Sequence, residues 1–378
     1  MKNKFVLSLC ILILVVMFSA SCFATEKILF FIVGPMTGDS ASMGIQMKEG
    51  AELAIREING SGGVNGKELG YIAGDDVANP NQAVIISKKF SLNKDILFVL
   101  GHNNSSCSIS ALPVWDKAGV PVISPTNTAP ILTRLGHKNY FRVEPDDTIM
   151  ISQLSKLAVI ELGFKNIALI WENSDYGKGM RDVGVEAIPE LGAKVLCDET
   201  YVPMVDRDYS SQITKFKGAG VDCVLFLGEY TAAALFLKQS KVLAFDAKVL
   251  GSSGCSNPKL IEIAGETSEG FYAIAGFDPN DKREKQAKFI KAFESVSKNK
   301  PGEWGAHSYD IVYMVKKAIE MGGTTREKLI QVLHQDNFEY DGVTGKIKFD
   351  ARGDVPGKKS LVLKVEDGKY VTFIPKKF

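Results

Sequence analysis

From about residue 28 onward, apolar positions fall into two alternating patterns. Short continuous apolar runs, such as 28–33 and 96–100, have the form of strands buried on both faces. Between them lie longer segments whose apolar residues recur three and four apart. In the first of these, Met47, Ala51, Ala54, Ile55 and Ile58 form one helical face, and Asn59-Gly60 with Gly62-Gly63 ends the helix. Strands are expected near 69–73 and 120–123, and helices at 80–90, opened by Pro80, and at 105–118. The rhythm then restarts. Strands over 167–171, 195–200, 224–227, 249–251 and 271–275 alternate with helices over 149–162, 177–191, 209–219, 232–244 and 260–264. This predicts an α/β chain of two doubly wound parallel-sheet units in tandem, each with helices on both faces.

The last hundred residues break the alternation. Helices over 285–297, 305–321 and 326–333 have no strands between them, and three strand-like runs, 346–349, 361–365 and 370–374, close the chain. Helices without partner strands must pack on an existing sheet, so the chain is expected to return to the first lobe. Segments rich in proline and glycine at 144–146, 276–279 and 353–357 mark three crossings, which together permit hinge closure. The expected lobes are 25–145 with 277–354, and 146–276 with 355–378.

The first 24 residues change the picture of where the protein works. Lys2 and Lys4 precede an apolar run over 5–18, and Ser19, Ala20, Ser21 and Ala24 follow. That is the layout of a secretory signal peptide cleaved after Ala24, too short to span a bilayer comfortably. A retained anchor, or a lipoprotein acylated at Cys22, is the alternative; Ser19 stands where the lipoprotein pattern has an aliphatic residue. Export to the periplasm is expected. Of the 378 residues, 45% are hydrophobic and 24% charged, with net charge +1, which gives no electrostatic case for a nucleic-acid partner.

Cys107, Cys197, Cys223 and Cys255 follow the signal region at spacings that match no metal motif, and are expected to be free or buried. A doubly wound order places the 167–171 strand between those carrying Cys197 and Cys223. Two strand spacings, roughly 9–10 Å, exceed disulfide reach. The four histidines lack ligand spacing and no phosphate-binding glycine motif is present, so neither a metal nor a cofactor is expected.

In open parallel sheets, ligands bind beyond the carboxyl ends of the strands. That rule selects the loop at 101–106, where Asn103, Ser105 and Ser106 stand at a helix start. Free N–H groups and hydroxyls there suit a carboxylate, or the serines cap the helix. It also selects 124–130, where Thr126 and Thr128 could present hydroxyls and a carbonyl to a zwitterion, or cap their own turn. His102 near Ser105 leaves a hydrolase reading open, although no nucleophile elbow or third group accompanies the pair. Asp75-Asp76 reads as a turn pair.

These loops sit among longer matches: Gly34-Pro35-Met36-Thr37-Gly38, Glu49-Gly50-Ala51, Gly62-Gly63-Val64-Asn65-Gly66, Tyr176-Gly177-Lys178-Gly179, Asp208-Tyr209-Ser210 and Ile263-Ala264-Gly265-Glu266. In that order and spacing the chain resembles the leucine/isoleucine/valine-binding protein family, the periplasmic receptors of branched-chain amino-acid importers. The resemblance covers nearly all of the chain after the signal region. It implies a type I periplasmic binding protein that takes an amino acid, aliphatic or aromatic, between its lobes and delivers it to ABC permease subunits.

By resemblance, Ser105 and Thr128 would hold the ligand carboxylate, and Thr126 and Thr128 its ammonium. Tyr176 would close from the second lobe, while Met43 and Trp304 border the side-chain pocket. Two departures stand out. The family often has a first-lobe disulfide at the positions of Ala78 and Asn104, and neither is cysteine here. The family's ammonium-binding glutamate is replaced by Ser253. Glu229, standing where the family often has an aromatic, could supply the charge, or could cap the following helix as a solvated residue. A ligand without an ammonium, or a sensing subunit docking on a signalling partner, stays open on the sequence.

Overall fold

The computed structural model describes residues 27–297 and 299–378; the expected signal peptide and Cys22 lie outside the described residues. Strands β1 (Lys27–Gly34), β2 (Glu68–Asp75), β3 (Ile96–Gly101), β4 (Val122–Ser124) and β5 (Tyr140–Arg142) form one sheet in the order β2-β1-β3-β4-β5. All its pairings are parallel. Helices α1 (Ala41–Gly60), α2 (Pro80–Phe90) and α3 (Ser105–Lys117) connect these strands. The 96–100 run is buried on both faces, as helices on both faces of a parallel sheet require, and the 28–33 run is so from Phe30 onward, with Ile28 and Leu29 half-buried.

The second sheet takes β6 (Asn166–Glu172), β7 (Lys194–Tyr201), β8 (Cys223–Leu227), β9 (Lys248–Gly251) and β10 (Tyr272–Ala275), with helices α4 (Asp147–Lys156), α5 (Asp175–Glu190), α6 (Ser210–Gly218), α7 (Tyr230–Val242) and α8 (Pro258–Ala264). Helices α9 (Glu284–Glu294), α10 (Glu303–Glu320) and α11 (Arg326–Leu333) follow, then a hairpin of β11 (Tyr340–Gly342) and β12 (Gly345–Ile347). Strands β13 (Leu361–Glu366) and β14 (Lys369–Phe373) join the second sheet antiparallel, giving β14-β13-β10-β9-β8-β6-β7. Strand β6 separates the strands of Cys197 and Cys223 (Ala168 pairs with Cys197, Ile167 with Cys223), and all four described cysteines are free and buried.

Three readings are corrected in detail. Strand β5 was not expected: it has three residues and ends on a buried arginine. The helix expected over 149–162 begins at Asp147, capped by Asp146, whose carboxylate accepts from the Ile149 N–H, and its last turn widens to a π-helix over Leu157–Glu161. The final strands also lie where pairing dictates: the 346–349 run is the end of a hairpin, which then leads back to the second sheet.

Helix α10 packs on α1 and so on the first sheet, as helices without partner strands must. The two helices approach backbone to backbone. A Cβ at Gly50 would fall on the carbonyl of Gly305. Gly50→Ala is therefore expected to cost about 1–3 kcal/mol by overpacking, read as a lower urea midpoint with unchanged slope. A wild-type midpoint would show that the helices can part without loss.

Candidate ligand-binding site

The carboxyl ends of β3 and β4 face those of β8 and β9 across a cleft. The cavity between them is lined by Met43, Asn103, Asn104, Ser105, Thr126, Tyr176, Glu229, Ser253, Gly254, Glu303 and Trp304.

On the first sheet's side, Ser105 opens α3. The residue before it, Asn104, makes no side-chain cap, so the serines do not act as caps and the first N–H groups of the helix stay uncapped by side chains. The Ser105 hydroxyl accepts from the Ala129 N–H at 3.4 Å, tying the helix start to the 124–130 loop. That loop is built stiff. Asn103 Oδ1 accepts from the Thr126 hydroxyl at 2.8 Å, and its Nδ2 lies 3.3 Å from the Met43 sulfur. Arg142, fully buried, donates to the Asn127 and Ala129 carbonyls and pairs with Asp354. Fixed rotamers here hold the candidate residues without a ligand's help.

Thr128 is fully buried just behind the cavity wall; its hydroxyl lacks a hydrogen bond of normal geometry, with Asp147 close by. Burial pushes the Asp147 carboxyl up to about 8. Ser106 is not at the inner cavity. Its hydroxyl accepts from the Asp175 N–H at 3.1 Å, a contact between the lobes. The reason is helical geometry: consecutive residues at a helix start point about 100° apart, so Ser105 and Ser106 cannot share one face.

From the second lobe, Tyr176 donates to Ser252 Oγ at 3.2 Å and accepts from the Gly254 N–H at 3.1 Å. Ser253 lies in the 3₁₀ turn Ser253–Cys255. Glu229 precedes α7 but makes no side-chain cap, which overturns the reading as a solvated helix cap. Its carboxylate reaches across the cleft instead, accepting from Ser40 and, at 2.8 Å, from Asn104 Nδ2. Burial pushes its pKa up, and the hydrogen bonds from Ser40 and Asn104 oppose the rise.

Three lining residues, Asn104, Gly254 and Glu303, were missed by sequence reasoning. Asn104 was weighed for a missing disulfide, not for its amide. Glu303, the first residue of α10, accepts from the Gly276 N–H at 2.6 Å, and burial raises its pKa. An acid directly before Trp304 at a helix start was the available signal.

His102 is not poised to activate Ser105. Its Nδ1 lies 2.7 Å from the Asp76 carboxylate and its Nε2 3.5 Å from Ser87 Oγ, all three fully buried. Asp76 also accepts from the Ala78 N–H, so the acid pair makes a turn as well as holding the histidine. Among the described residues, no cluster of three His, Cys, Asp or Glu side chains is placed to hold a metal, and no helix is long and apolar enough to cross a membrane.

Two α/β lobes with parallel sheets, closing on a polar cavity at their strand ends, define the class of two-lobed solute receptors. The chain belongs to the periplasmic binding protein family, whose pattern it matches over residues 32–369. It is 32% identical over 341 residues to the leucine-, isoleucine-, valine-, threonine- and alanine-binding protein of Pseudomonas aeruginosa, covering 89% of this chain and 90% of that one. Among solved structures, the branched-chain amino acid transporter substrate-binding protein LivJ of Streptococcus pneumoniae, in complex with isoleucine, superposes with TM-score 0.85 at 26% identity, over 92% of this chain and 100% of that one. The leucine-binding protein LivK of Thermotoga maritima superposes with TM-score 0.85 at 25% identity, over 92% and 98%. As members of a substrate-binding family, such proteins are receptors of transporters rather than enzymes.

Proposed function

We propose that the protein is an exported receptor that captures an amino acid between its lobes and hands it to the permease subunits of an ABC importer. The observation that carries this reading is the polarity of the cavity. On the first lobe's side stand Ser105 and the N-terminus of α3, a setting for a carboxylate. From the facing lobe comes the Glu229 carboxylate, held by Asn104 beside that helix start, a setting for an ammonium. Met43 and Trp304 would flank the ligand's side chain, and Thr126 and Tyr176 complete the polar wall. Titration with leucine, isoleucine, valine, threonine, alanine and phenylalanine tests the reading; saturable binding of none of them would remove it.

The carboxylate end has its own test. Ser105→Ala should weaken binding by about 1.5–3 kcal/mol, the range of a hydrogen bond to a charged group, and Thr128→Ala by as much only if the ligand draws its hydroxyl to the wall. Calorimetry with both variants behaving like wild type would displace the carboxylate from this end.

The lobes are proposed as 25–145 with 277–354 and 146–276 with 355–378, closing about the three crossings. Contacts that only a closed cleft permits support this: Asp39 pairs with Arg207, and its carbonyl accepts from the hydroxyls of Tyr230 at 2.5 Å and Thr231 at 3.3 Å. The ligand is expected to reduce the radius of gyration in small-angle scattering. An unchanged radius at saturation, in a free protein that is not already as compact, would count against closure.

A second reading, a carboxylate ligand lacking an amine, is favoured by Ser253. It offers a hydroxyl where the resemblance calls for a charge, and Glu229 already has partners in Ser40 and Asn104.

A further inference from the structure

A second chamber adjoins the inner cavity. It reaches the mouth of the cleft and shares Asn104, Ser105, Tyr176 and Glu229 with the inner cavity. Glu229 is thus a partition, bridged to Ser40 and Asn104. Beyond it lies Glu172, the last residue of β6. Glu172 is 4% exposed; one carboxylate oxygen accepts from the Ser174 hydroxyl at 2.5 Å, and the other has no hydrogen-bond partner. Tyr201, the last residue of β7, is 1% exposed, and its hydroxyl is also unpartnered.

The two free polar ends converge over Gly228. A Cβ built there would fall on the Tyr201 hydroxyl and lie 3.4 Å from the free Glu172 oxygen. Only glycine lets the Tyr201 hydroxyl pack this close to the backbone beside the Glu172 oxygen. Both groups line the outer chamber.

Charge balance points the same way. The charges that act on Glu172 and Glu229 are negative, that of Glu229 on Glu172 and that of Asp39 on Glu229, and no basic side chain among the described residues is ion-paired with either. Arg207, in the chamber wall, is engaged by Asp39. A buried and a half-buried carboxylate without a cation are costly, and a positively charged guest lowers the cost. One ligand α-ammonium at Glu229 would neutralise only one of them.

We propose that the outer chamber is a subsite for a second positively charged, N–H-rich group of the ligand, received by Glu172 and Tyr201. The amino acids held best are then those whose side chains end in an ammonium or guanidinium. This rests on amino-acid capture in the inner cavity, and the experiment separates the two. L-leucine, which ends within the inner cavity, and L-arginine, long enough to pass Glu229, are titrated by calorimetry into the exported chain. L-arginine is expected to bind at least about tenfold more tightly than L-leucine. Glu172→Gln, nearly isosteric, should weaken L-arginine about 10–150-fold, the range of a hydrogen bond to a charged group, and leave L-leucine within about twofold. Tyr201→Phe, which removes one hydroxyl, should move the ratio in the same direction by about 2–12-fold, and serves if the glutamate variant does not fold. Tighter binding of L-leucine than of L-arginine, or equal effects of these variants on both, overturns the subsite while capture stands. Binding of neither amino acid overturns the subsite, and capture then stands or falls on the wider amino-acid titration.

Discussion

Glu229→Gln should weaken an amino acid by about 2–5 kcal/mol, the cost of removing one partner of a buried hydrogen-bonded charge pair. It should leave the deaminated analogue nearly untouched. Glutamine keeps the shape; its one carbonyl oxygen can accept from Asn104 while its NH2 donates to the Ser40 hydroxyl, the two groups that hold the carboxylate in place now. What it loses is the charge that faces the ligand's ammonium. Ser253 cannot replace that charge, because a hydroxyl accepts a hydrogen bond without neutralising a cation.

A second readout follows from the raised pKa of Glu229, which burial causes. In the free protein the carboxyl holds its proton to higher pH. An ammonium in the site favours the ionised form, so binding expels that proton and affinity rises with pH through the raised pKa. The rise should flatten in Glu229→Gln. Calorimetry on both ligands, with both proteins at pH 5 and pH 8, measures all of this. Equal losses for the amino acid and its analogue would take Glu229 out of the ammonium site and favour the amine-free ligand.

The other large effect is expected at the hinge, where all three crossings meet in a buried polar cluster. Lys358, directly after the third crossing, donates to the Val143 carbonyl at 2.6 Å and the Thr344 hydroxyl at 2.9 Å. Glu144, from the first crossing, is fully buried with neither carboxylate oxygen hydrogen-bonded. Gly276, from the second, donates to Glu303. His307 from α10 and Asp310 complete the cluster, and His307 is held neutral by burial and by the nearby lysine charge. Lys358→Met should destabilise the protein by about 3–5 kcal/mol, since breaking a buried charge cluster leaves carboxylates unpaired.

The pH dependence distinguishes charge from packing. Burial lowers the Lys358 pKa to about 8, so in the wild type the lysine is largely charged at neutral pH and below. Burial raises Glu144 and Glu303, so the folded state holds their protons while the unfolded chain has lost them, and stability falls as pH rises from the ordinary carboxylate range. Without the lysine this fall should steepen. The loss in Lys358→Met is therefore expected to be smaller at pH 5 than at pH 8, by urea midpoints at constant slope. An equal loss at both would assign it to the two hydrogen bonds and packing alone.

The alternation of strands and helices was legible because its cause is local. A parallel strand covered on both faces must be apolar at every position, and a helix on a sheet must repeat its apolar face every three to four residues. Those constraints act residue by residue, so 96–100 and the face from Met47 to Ile58 announced themselves. The positions of Ser105 and Thr126 followed from one topological rule applied to the same strands.

Strand β5 did not announce itself. Three residues carry no period, and its Arg142 looks polar until Asp354, far along the chain, is brought beside it. Glu229 was equally undetermined. Whether a glutamate before a helix caps it or crosses a cleft depends on how near Ser40 and Asn104 stand, and they lie 189 and 125 residues away in sequence. The hinge cluster and the facing pair Glu172 and Tyr201 are of the same kind. Sequence determined the elements, the lobed class and the loops at the strand ends, because each is set by neighbours in the chain. Tertiary structure alone decided which carboxylates are buried together, because burial and pairing are properties of the distances between segments, which no local pattern encodes.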